Sequence, residues 1–315
     1  MASMRIATKH QNNIACIDFT LDNKIITCGD SGELGLLEKD GEVPKVFKIC
    51  KTDLTSVRCS KKNDWNLYVS SGTKIFSMDL RKLDNPIATA DSNNDEINQI
   101  VLNDDESLLG ACDDAGHCRI FKTAEFCCYR NIKGHTNICA TVGFLDDDIL
   151  TAGYDFMIKR WNFSRRPKML FSIDTRQLEP NESQQYVFNP PFIHSLCIGD
   201  IVAFGLESSS ILLCNKKGKH LPIKGLLKNG HTVGVSSVQI VKENLVSAGN
   251  DGKVIQWSLN DIEEEKDNME LSTKNIVLYQ GEKLNWMVPG VWDGKSVMAT
   301  VDQTDKVTII PLRQF

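Results

Sequence analysis

Long apolar runs are missing from this chain of 315 residues, and none approaches the ~18 residues that a membrane-spanning helix requires. The start of the chain also lacks an apolar stretch of the length that a secretory signal needs. Proline and glycine number 9 and 21 residues, too few for a collagen-like or low-complexity chain. A net charge of −5 argues against nucleic acid as the main partner, because phosphate binding needs a basic face. We therefore expect a chain without a membrane segment that stays inside the cell, in the cytoplasm, the nucleus or both.

Cys-x-x-Cys pairs are also absent, although the chain has 11 cysteines. Inside the cell these thiols are expected to be reduced. Cys127 and Cys128 are adjacent, and Cys112, His117 and Cys118 lie close in sequence. We interpret them as core and strand residues rather than metal ligands, because buried cysteine behaves as a small apolar side chain. With 41% apolar and 24% charged residues, the composition is that of a globular chain, and it predicts neither a metal nor a cofactor.

Two segments of the chain align without gaps. Each begins with Gly-His and continues to a hydroxyl residue, an aspartate and a tryptophan, which lie 16, 20 and 26 residues after the histidine. The two sets are His135, Thr151, Asp155 and Trp161, and His231, Ser247, Asp251 and Trp257. Four residue types that recur at fixed offsets indicate a repeat architecture.

These offsets resemble the WD40 repeat, whose Gly-His and Trp-Asp signatures bracket most of a propeller blade of about 45 residues. The resemblance implies an all-β fold, a seven-bladed β-propeller, since 315 residues hold seven such units. In that family the four residue types form a hydrogen-bonded chain inside the blade, so the resemblance makes both sets structural tetrads. A hydrolytic triad built from the same residue types is the alternative.

The other blades do not repeat the full set of four residues. Each still shows an apolar strand, a short polar turn and a second apolar strand. The turns centre near Gly32, Gly72, Gly116, Phe156, Ser208, Gly252 and Asp305. Seven turns predict seven blades in a single domain over residues 1–315, with loop insertions at about 174–191 and 261–274. At the chain ends, residues 307–310 and 5–8 are predicted to pair in one blade, which closes the propeller and removes its free sheet edges.

Further segments resemble one group of WD40 proteins more closely, among them 95–98, 189–195, 283–286 and 299–304. That group is non-enzymatic and has been placed among candidate substrate receptors of cullin-4 ubiquitin ligases, which dock on the ligase adaptor through a Trp-Asp-x-Arg box. Met78-Asp79-Leu80-Arg81 keeps the aspartate and arginine of this box and lacks its tryptophan. The resemblance therefore implies adaptor docking by Asp79 and Arg81. The alternative is a local pair between these two side chains.

The resemblance also implies a partner site at the mouth of the propeller channel. Two positions of each blade point there, the residue that opens the innermost strand and the residue before the turn aspartate. The predicted partner-binding residues are Asn98, Cys139, Tyr154, His194, Ser236, Asn250, Asn285, Trp286 and Gln303. Small polar residues beside aromatic anchors suit a peptide or loop of a protein partner. The alternative is that the amides satisfy nearby backbone groups and that His194 is packed.

Two other function classes stay open. A hydrolase at the channel mouth would need a nucleophile beside a base, such as Cys139 with His194, although the sequence has no nucleophile elbow and no phosphate-cradling glycine loop. An RNA-binding propeller would use the basic residues Lys159, Arg160, Arg165 and Arg166. The prediction is a non-enzymatic protein-interaction scaffold, and nothing in the sequence indicates an obligate oligomer.

Overall fold

The structure is a computed structural model that describes residues 3–38, 42–178, 190–218, 220–262, 276–279 and 281–312. Within these ranges the chain forms 28 β-strands, one short helix, α1 (Leu259–Ile262), and two 3-10 turns at Asp30–Gly32 and Thr175–Gln177. No helix in the described ranges combines the length and the apolar character needed to cross a membrane.

The first half of the chain contains the following strands: β1 (Met4–Ala7), β2 (Ile14–Phe19), β3 (Ile25–Gly29), β4 (Glu33–Leu37), β5 (Lys45–Lys48), β6 (Ser56–Cys59), β7 (Asn66–Ser71), β8 (Lys74–Asp79), β9 (Ala88–Asp91), β10 (Ile97–Leu102), β11 (Leu108–Asp113), β12 (His117–Lys122) and β13 (Cys127–Lys133). The second half contains β14 (Cys139–Leu145), β15 (Asp148–Gly153), β16 (Met157–Asn162), β17 (Lys168–Asp174), β18 (Ile193–Ile198), β19 (Ile201–Leu206), β20 (Ile211–Asn215), β21 (Ile223–Leu227), β22 (Val235–Val241), β23 (Asn244–Gly249), β24 (Lys253–Ser258), β25 (Ile276–Tyr279), β26 (Leu284–Trp292), β27 (Lys295–Asp302) and β28 (Lys306–Pro311).

The described strands form seven four-stranded sheets. Six are meanders of consecutive strands: β2–β5, β6–β9, β10–β13, β14–β17, β18–β21 and β22–β25. The seventh has the order β1-β28-β27-β26, in which β1 pairs antiparallel with β28 from Met4 opposite Ile309 to Ala7 opposite Lys306. The first strand of the chain thus completes the sheet that the last three strands begin.

The fourth strand of a sheet is more exposed than its inner strands, as the sheet β14–β17 illustrates. All six residues of β15 are buried, whereas four of the seven residues of β17 are exposed. A strand covered on both faces reads as a continuous apolar run, and an outer strand carries polar residues. The repeated pattern of an apolar strand, a turn and a second apolar strand reflects this difference.

The chain divides into two compact units. The terminal unit comprises Met1–Asn131 and Asn285–Phe315, and the central unit comprises Ile132–Leu284. In the terminal unit, one apolar core lies between the sheets β2–β5 and β6–β9 and includes Ile26, Leu34 and Leu67. In the central unit, a comparable core lies between the sheets β14–β17 and β18–β21. The single domain expected over 1–315 stays a prediction.

The predicted turns fall between the second and third strands of their sheets. Gly116 and Gly252 occupy left-handed backbone there, with φ of 78° and 74°, a conformation that glycine adopts without steric cost. Of the predicted insertions, residues 179–189 and 263–274 lie outside the described residues. The part of the first insertion that is described contains the end of β17 and the 3-10 turn Thr175–Gln177.

Candidate functional site

Two hydrogen-bonded tetrads lie inside the central unit. In the first, His135 Nδ1 is 2.7 Å from Asp155, His135 Nε2 is 2.8 Å from Thr151 Oγ1, and Trp161 Nε1 donates to that hydroxyl at 3.0 Å. The second repeats these contacts with His231, Asp251, Ser247 and Trp257, at 3.0, 2.8 and 2.9 Å.

The glycine that precedes each tetrad histidine follows from the same packing. A Cβ at Gly134 would lie 2.9 Å from the Trp161 ring, and a Cβ at Gly230 would lie 2.5 Å from the Trp257 ring. Both distances are too short for a side chain, so the indole requires glycine at this position. The Gly-His and Trp elements of the repeat are thus parts of one packing arrangement.

The tetrad aspartates are held in their charged form. Burial raises the pKa of Asp155, but the hydrogen bond and charge of His135, together with Lys159, lower it to about 2. Burial likewise opposes the lowering of the Asp251 pKa, which the hydrogen bonds from His231 and from the Thr232 backbone N–H bring about. Every polar atom of these chains has a partner, which is typical of a structural network.

An aromatic stack lies on the central unit where the turn after β15 approaches the start of β18. The Phe192 ring lies between two others, with its centroid 5.0 Å from that of Tyr154 and 4.9 Å from that of Phe156, and both pairs are close to parallel. The Arg176 guanidinium lies 5.0 Å above the Phe156 ring and forms a bidentate pair with Asp174. Stacked aromatic rings of this kind stabilise a structure by more than the burial of their apolar area alone.

His194 joins this stack to a carboxylate. The Tyr154 hydroxyl is 2.9 Å from His194 Nδ1, and His194 Nε2 is 2.6 Å from Glu207 Oε2. An ionised carboxylate only accepts hydrogen bonds, so Nε2–H donates to Glu207 and the Nδ1 of a neutral ring accepts from the tyrosine. The residues Tyr154, Phe156, Arg176, Phe192, His194 and Glu207 are called the aromatic cluster below.

Phe156 holds a backbone conformation that glycine holds elsewhere. Its φ is 66°, in the left-handed region, at the turn position that Gly116 and Gly252 fill in other sheets. A bulky side chain in this region carries strain of about 1 kcal/mol or more, and such strain concentrates at functional sites. The ring of Phe156 stacks on Phe192 and beneath Arg176.

Two more residues border the aromatic cluster. A Cβ at Gly234 would collide with Glu207 Oε2 and would lie 3.1 Å from Asn250 Nδ2, so both side chains lie beside this glycine. Asn250 Oδ1 is buried and has no hydrogen-bond partner within the described ranges.

The other two mouth residues predicted in the central unit are Cys139 and Ser236, and Ser236 is half-buried. Cys139 opens β14 and is fully buried. The Ser236 hydroxyl donates to the Ala248 carbonyl at 3.2 Å. Of the five residues predicted here, the structure places Tyr154 and His194 in direct contact and Asn250 beside the same carboxylate.

The mouth residues predicted in the terminal unit also make internal contacts. Asn98 Nδ2 donates to Asp114 at 2.8 Å, and Asn285 Nδ2 donates to the Ile14 and Asp302 carbonyls. The Arg58 guanidinium lies 5.0 Å above the Trp286 ring. Gln303 is exposed.

The two residues predicted to dock on the adaptor form a local pair. Arg81 Nε donates to Asp79 Oδ1 at 2.9 Å and Nη2 donates to Oδ2 at 2.6 Å, which lowers the pKa of Asp79 to about 2. The guanidinium lies 5.1 Å above the ring of Trp65. The Arg81 side chain is 61% exposed, so the pair presents an oriented cation to the solvent.

The basic residues proposed for RNA binding do not form one surface. Lys159 bonds to Asp155 and to the Gly134 carbonyl, and Arg160 bonds to Asp148. Both side chains are almost buried, whereas Arg165 and Arg166 are exposed. Half of the predicted cluster is therefore bound within the blade.

Sequence reasoning missed Glu207, Phe192 and Arg176 as site residues. Glu207 follows Leu206 at the position where other blades carry the turn aspartate, and this acidic residue was the available signal. Phe192 and Arg176 carry no signal of their own, because their roles depend on contacts across two turns.

Comparison with known proteins agrees with this description. The chain is similar to the WD repeat-containing protein 53 homolog of Dictyostelium discoideum, with 25% identity over 255 residues. The aligned part covers 70% of this chain and 66% of that relative, slightly less than two thirds of the relative's length. No protein-family model matches the chain. The resemblance predicted from the sequence is confirmed by this relative.

The fold also matches a solved structure, the crystal structure of the WD40 β-propeller domain of Doa1. The TM-score is 0.79 with 15% sequence identity, over 99% of this chain and 96% of the other. At that identity the likeness shows the fold alone. Together with the seven four-stranded sheets of the described residues, it confirms the prediction of a seven-bladed β-propeller of the WD40 type.

Proposed function

We propose that this WD40 propeller is a non-enzymatic protein-interaction scaffold and that the aromatic cluster of its central unit binds a segment of a partner protein. The observation that carries this proposal is the strained Phe156, whose backbone conformation is the one glycine prefers while its ring stands in a stack beside the His194–Glu207 pair. Aromatic side chains beside a few polar groups are the composition of interface hot spots.

The hydrolase alternative has less support at this site. A thiol nucleophile at position 139 would need His194 as its base, but both ring nitrogens of His194 are engaged, one by Tyr154 and one by Glu207. Cys139 itself is fully buried. These contacts favour binding over catalysis.

Co-purification with quantitative mass spectrometry tests the scaffold function. The tagged wild-type chain is compared with Phe192→Ala, which removes the middle ring of the stack, and with the control Phe126→Ala, which removes a ring stacked on Tyr68 in the terminal unit. Partners of the aromatic cluster are expected to fall about tenfold or more with Phe192→Ala and to stay unchanged with the control. A partner set that is identical for all three chains contradicts the proposal.

We further propose that the chain is a substrate receptor that docks on the adaptor of a cullin-4 ubiquitin ligase through Asp79 and Arg81, in the cytoplasm, the nucleus or both. The support is the resemblance to the group that carries a docking box, together with the exposed, oriented guanidinium of Arg81 above Trp65. A guanidinium that keeps donors towards solvent suits carbonyl or carboxylate acceptors on a partner.

The chain offers a matched control for this second proposal. Arg176 forms the same bidentate pair with Asp174, two residues before it, lies above an aromatic ring and is 54% exposed. Binding to the purified adaptor is expected to weaken about tenfold or more with Arg81→Ala and to stay unchanged with Arg176→Ala. An absence of binding at roughly 50 µM would remove the ligase role and leave the aromatic cluster untouched.

A further inference from the structure

The Glu207 carboxylate has more acceptor positions than the donors that reach it. Within the described ranges it is met by a single donor side chain, that of His194. An ionised carboxylate has about four acceptor positions. The Glu207 side chain is 26% exposed, so a ligand can approach it from the solvent. A ligand that fills the open acceptor positions of Glu207 must bring N–H groups.

The charges on the neighbouring elements do not neutralise Glu207. Asp155 is bound by His135 and Lys159, and Arg176 is bound by Asp174. On the next sheet, Asp251 is bound by His231 and Lys253. Among the described residues, the Glu207 carboxylate pairs with His194, and no lysine or arginine side chain pairs with it.

In two places of this molecule, an arginine binds a carboxylate and also lies on an aromatic ring. Arg81 pairs with Asp79 and lies 5.1 Å above Trp65, and Arg176 pairs with Asp174 and lies 5.0 Å above Phe156. Both combine a bidentate ion pair with a cation–π contact. At the Phe156 end of the aromatic stack, Arg176 fills this role. At the other end, Tyr154 contacts His194, and His194 contacts the carboxylate of Glu207.

We propose that Glu207, beside the Tyr154 end of the stack, forms a binding site for an arginine side chain of a partner protein. This inference rests on the proposed scaffold function and names the chemistry that the site selects. The guanidinium presents five N–H donors in a planar fork, which meets both oxygens of a carboxylate together. A lysine ammonium is a single compact charge and does not match the two oxygens in this planar, bidentate way.

Selection from an mRNA-displayed library of random dodecapeptides on the intact chain tests the inference. Enriched peptides are expected to share an arginine, and replacement of that arginine by lysine or citrulline is expected to weaken binding about tenfold. Glu207→Gln is expected to weaken the same peptides about tenfold. The matched control is Glu243→Gln, which alters an exposed carboxylate of the same unit that bonds to Asn260. Thermal melting checks that each variant is folded.

The outcomes separate this inference from the proposed function. Peptides that bind without arginine, or that are insensitive to Glu207→Gln but lost with Phe192→Ala, overturn the arginine site and leave the aromatic cluster as a partner surface. Peptides insensitive to both variants contradict both statements. A selection that enriches no peptide over the same library without the chain also overturns the arginine site.

Discussion

The sheets β14–β17 and β10–β13 each bury an aspartate near the turn between their second and third strands, but they neutralise it differently. In β14–β17, Asp155 lies in the turn and belongs to a chain that runs through His135 and Thr151 to Trp161. In β10–β13, the aspartate has moved two positions back into the strand, at Asp113.

At its new position Asp113 contacts a different set of residues. Arg119 Nη1 donates to it at 2.9 Å, Asn93 Nδ2 donates at 3.1 Å, and the His117 backbone N–H donates at 2.9 Å. Arg119 also bonds to Asn94, so the pair is part of a network. Asp113 is fully buried and Arg119 is only 5% exposed.

The comparison shows that the fold requires a satisfied polar network at this place rather than one set of residues. In the tetrad of β14–β17, each residue is hydrogen-bonded to the next. In β10–β13, the same place holds a buried ion pair between Asp113 and Arg119. A buried ion that loses its partner cannot regain its hydration. Removal of one residue is therefore expected to lower the free energy of unfolding more in the ion pair of β10–β13 than in the tetrad of β14–β17.

The largest effect is expected where the ion pair is broken. Asp113→Ala leaves Arg119 charged and buried, and is expected to lower the free energy of unfolding by about 3–5 kcal/mol. Asp302→Ala is the matched control, because its arginine, Arg5, is 38% exposed and can turn to water, so the loss is expected to be about 1–2 kcal/mol. Urea denaturation measures both.

A double replacement sharpens this result. Asp113→Leu combined with Arg119→Met removes both charges together and is expected to recover most of the stability that Asp113→Ala loses. If the double variant is as unstable as the single one, the buried charge is not the cause of the loss.

Removal of a tetrad hydroxyl is expected to lower the free energy of unfolding, by less than the loss of Asp113. Ser247→Ala removes the acceptor of Trp257 Nε1 and the partner of His231 Nε2, both buried, and is expected to reduce stability by about 2–3 kcal/mol. Ser237 is a fully buried serine whose hydroxyl has no hydrogen-bond partner in the described ranges, and Ser237→Ala is expected to be nearly neutral. Equal losses in chemical denaturation would show that burial alone, and not the hydrogen-bonded chain, matters.

Acid is expected to weaken the tetrad of β14–β17 over a defined range. The pKa of Asp155 is about 2 in the folded chain and about 3.9 in an unfolded chain, so the unfolded state binds the proton more readily. The stability from this group is complete above pH ~4 and is lost as the pH falls towards about 2. Unfolding free energies at several pH values are expected to decline less steeply in that range for Asp155→Asn than for the wild type.

The smallest effect is expected for His10, whose contacts with Thr27 and Glu33 form a third polar network of this kind, in the sheet β2–β5. There His10 Nε2 is 2.8 Å from Thr27 and His10 Nδ1 is 3.4 Å from Glu33, which replaces the turn aspartate. Burial lowers the pKa of His10 below 6.5, and the charge of Glu33 opposes this change.

Glu33→Gln is therefore expected to lower the pKa of His10 further, as measured by an NMR titration of the ring protons. Because the unfolded chain binds this proton more readily, the contribution of His10 declines below about pH 6.5 in both chains. A pKa that rises in Glu33→Gln would contradict the assignment of Glu33 as the partner of His10.

Much of the fold was predictable, because seven turns and two clear repeats stand in the sequence at nearly regular spacing. The tetrad residues were legible because strand geometry places a histidine, a hydroxyl, an aspartate and a tryptophan at the same offsets in both copies. The networks of Asp113 and His10 were not recognised. A shift of two residues, or a glutamate in place of an aspartate, removes the match, although the acidic residue still lies next to Arg119 or His10.

The candidate site was predictable only in part. Tyr154, His194 and Asn250 followed from their place in the repeat, and the structure brings Tyr154 into contact with His194, which bonds to Glu207, with Asn250 beside that carboxylate. Glu207 was passed over for its neighbour Leu206. The stacking of Phe192 between Tyr154 and Phe156 depends on two turns whose residues lie far apart in the chain.

The sequence by itself determined the repeat, the number of sheets and the residues of both tetrads, because a hydrogen-bonded chain inside a strand meander requires given residue types at given spacings. Only the tertiary structure decided which side chains meet between separate loops of one sheet or of neighbouring sheets. Contacts such as Tyr154 with His194, or Arg176 with Phe156, arise from the distance between loops in space, and no periodicity along the chain encodes that distance.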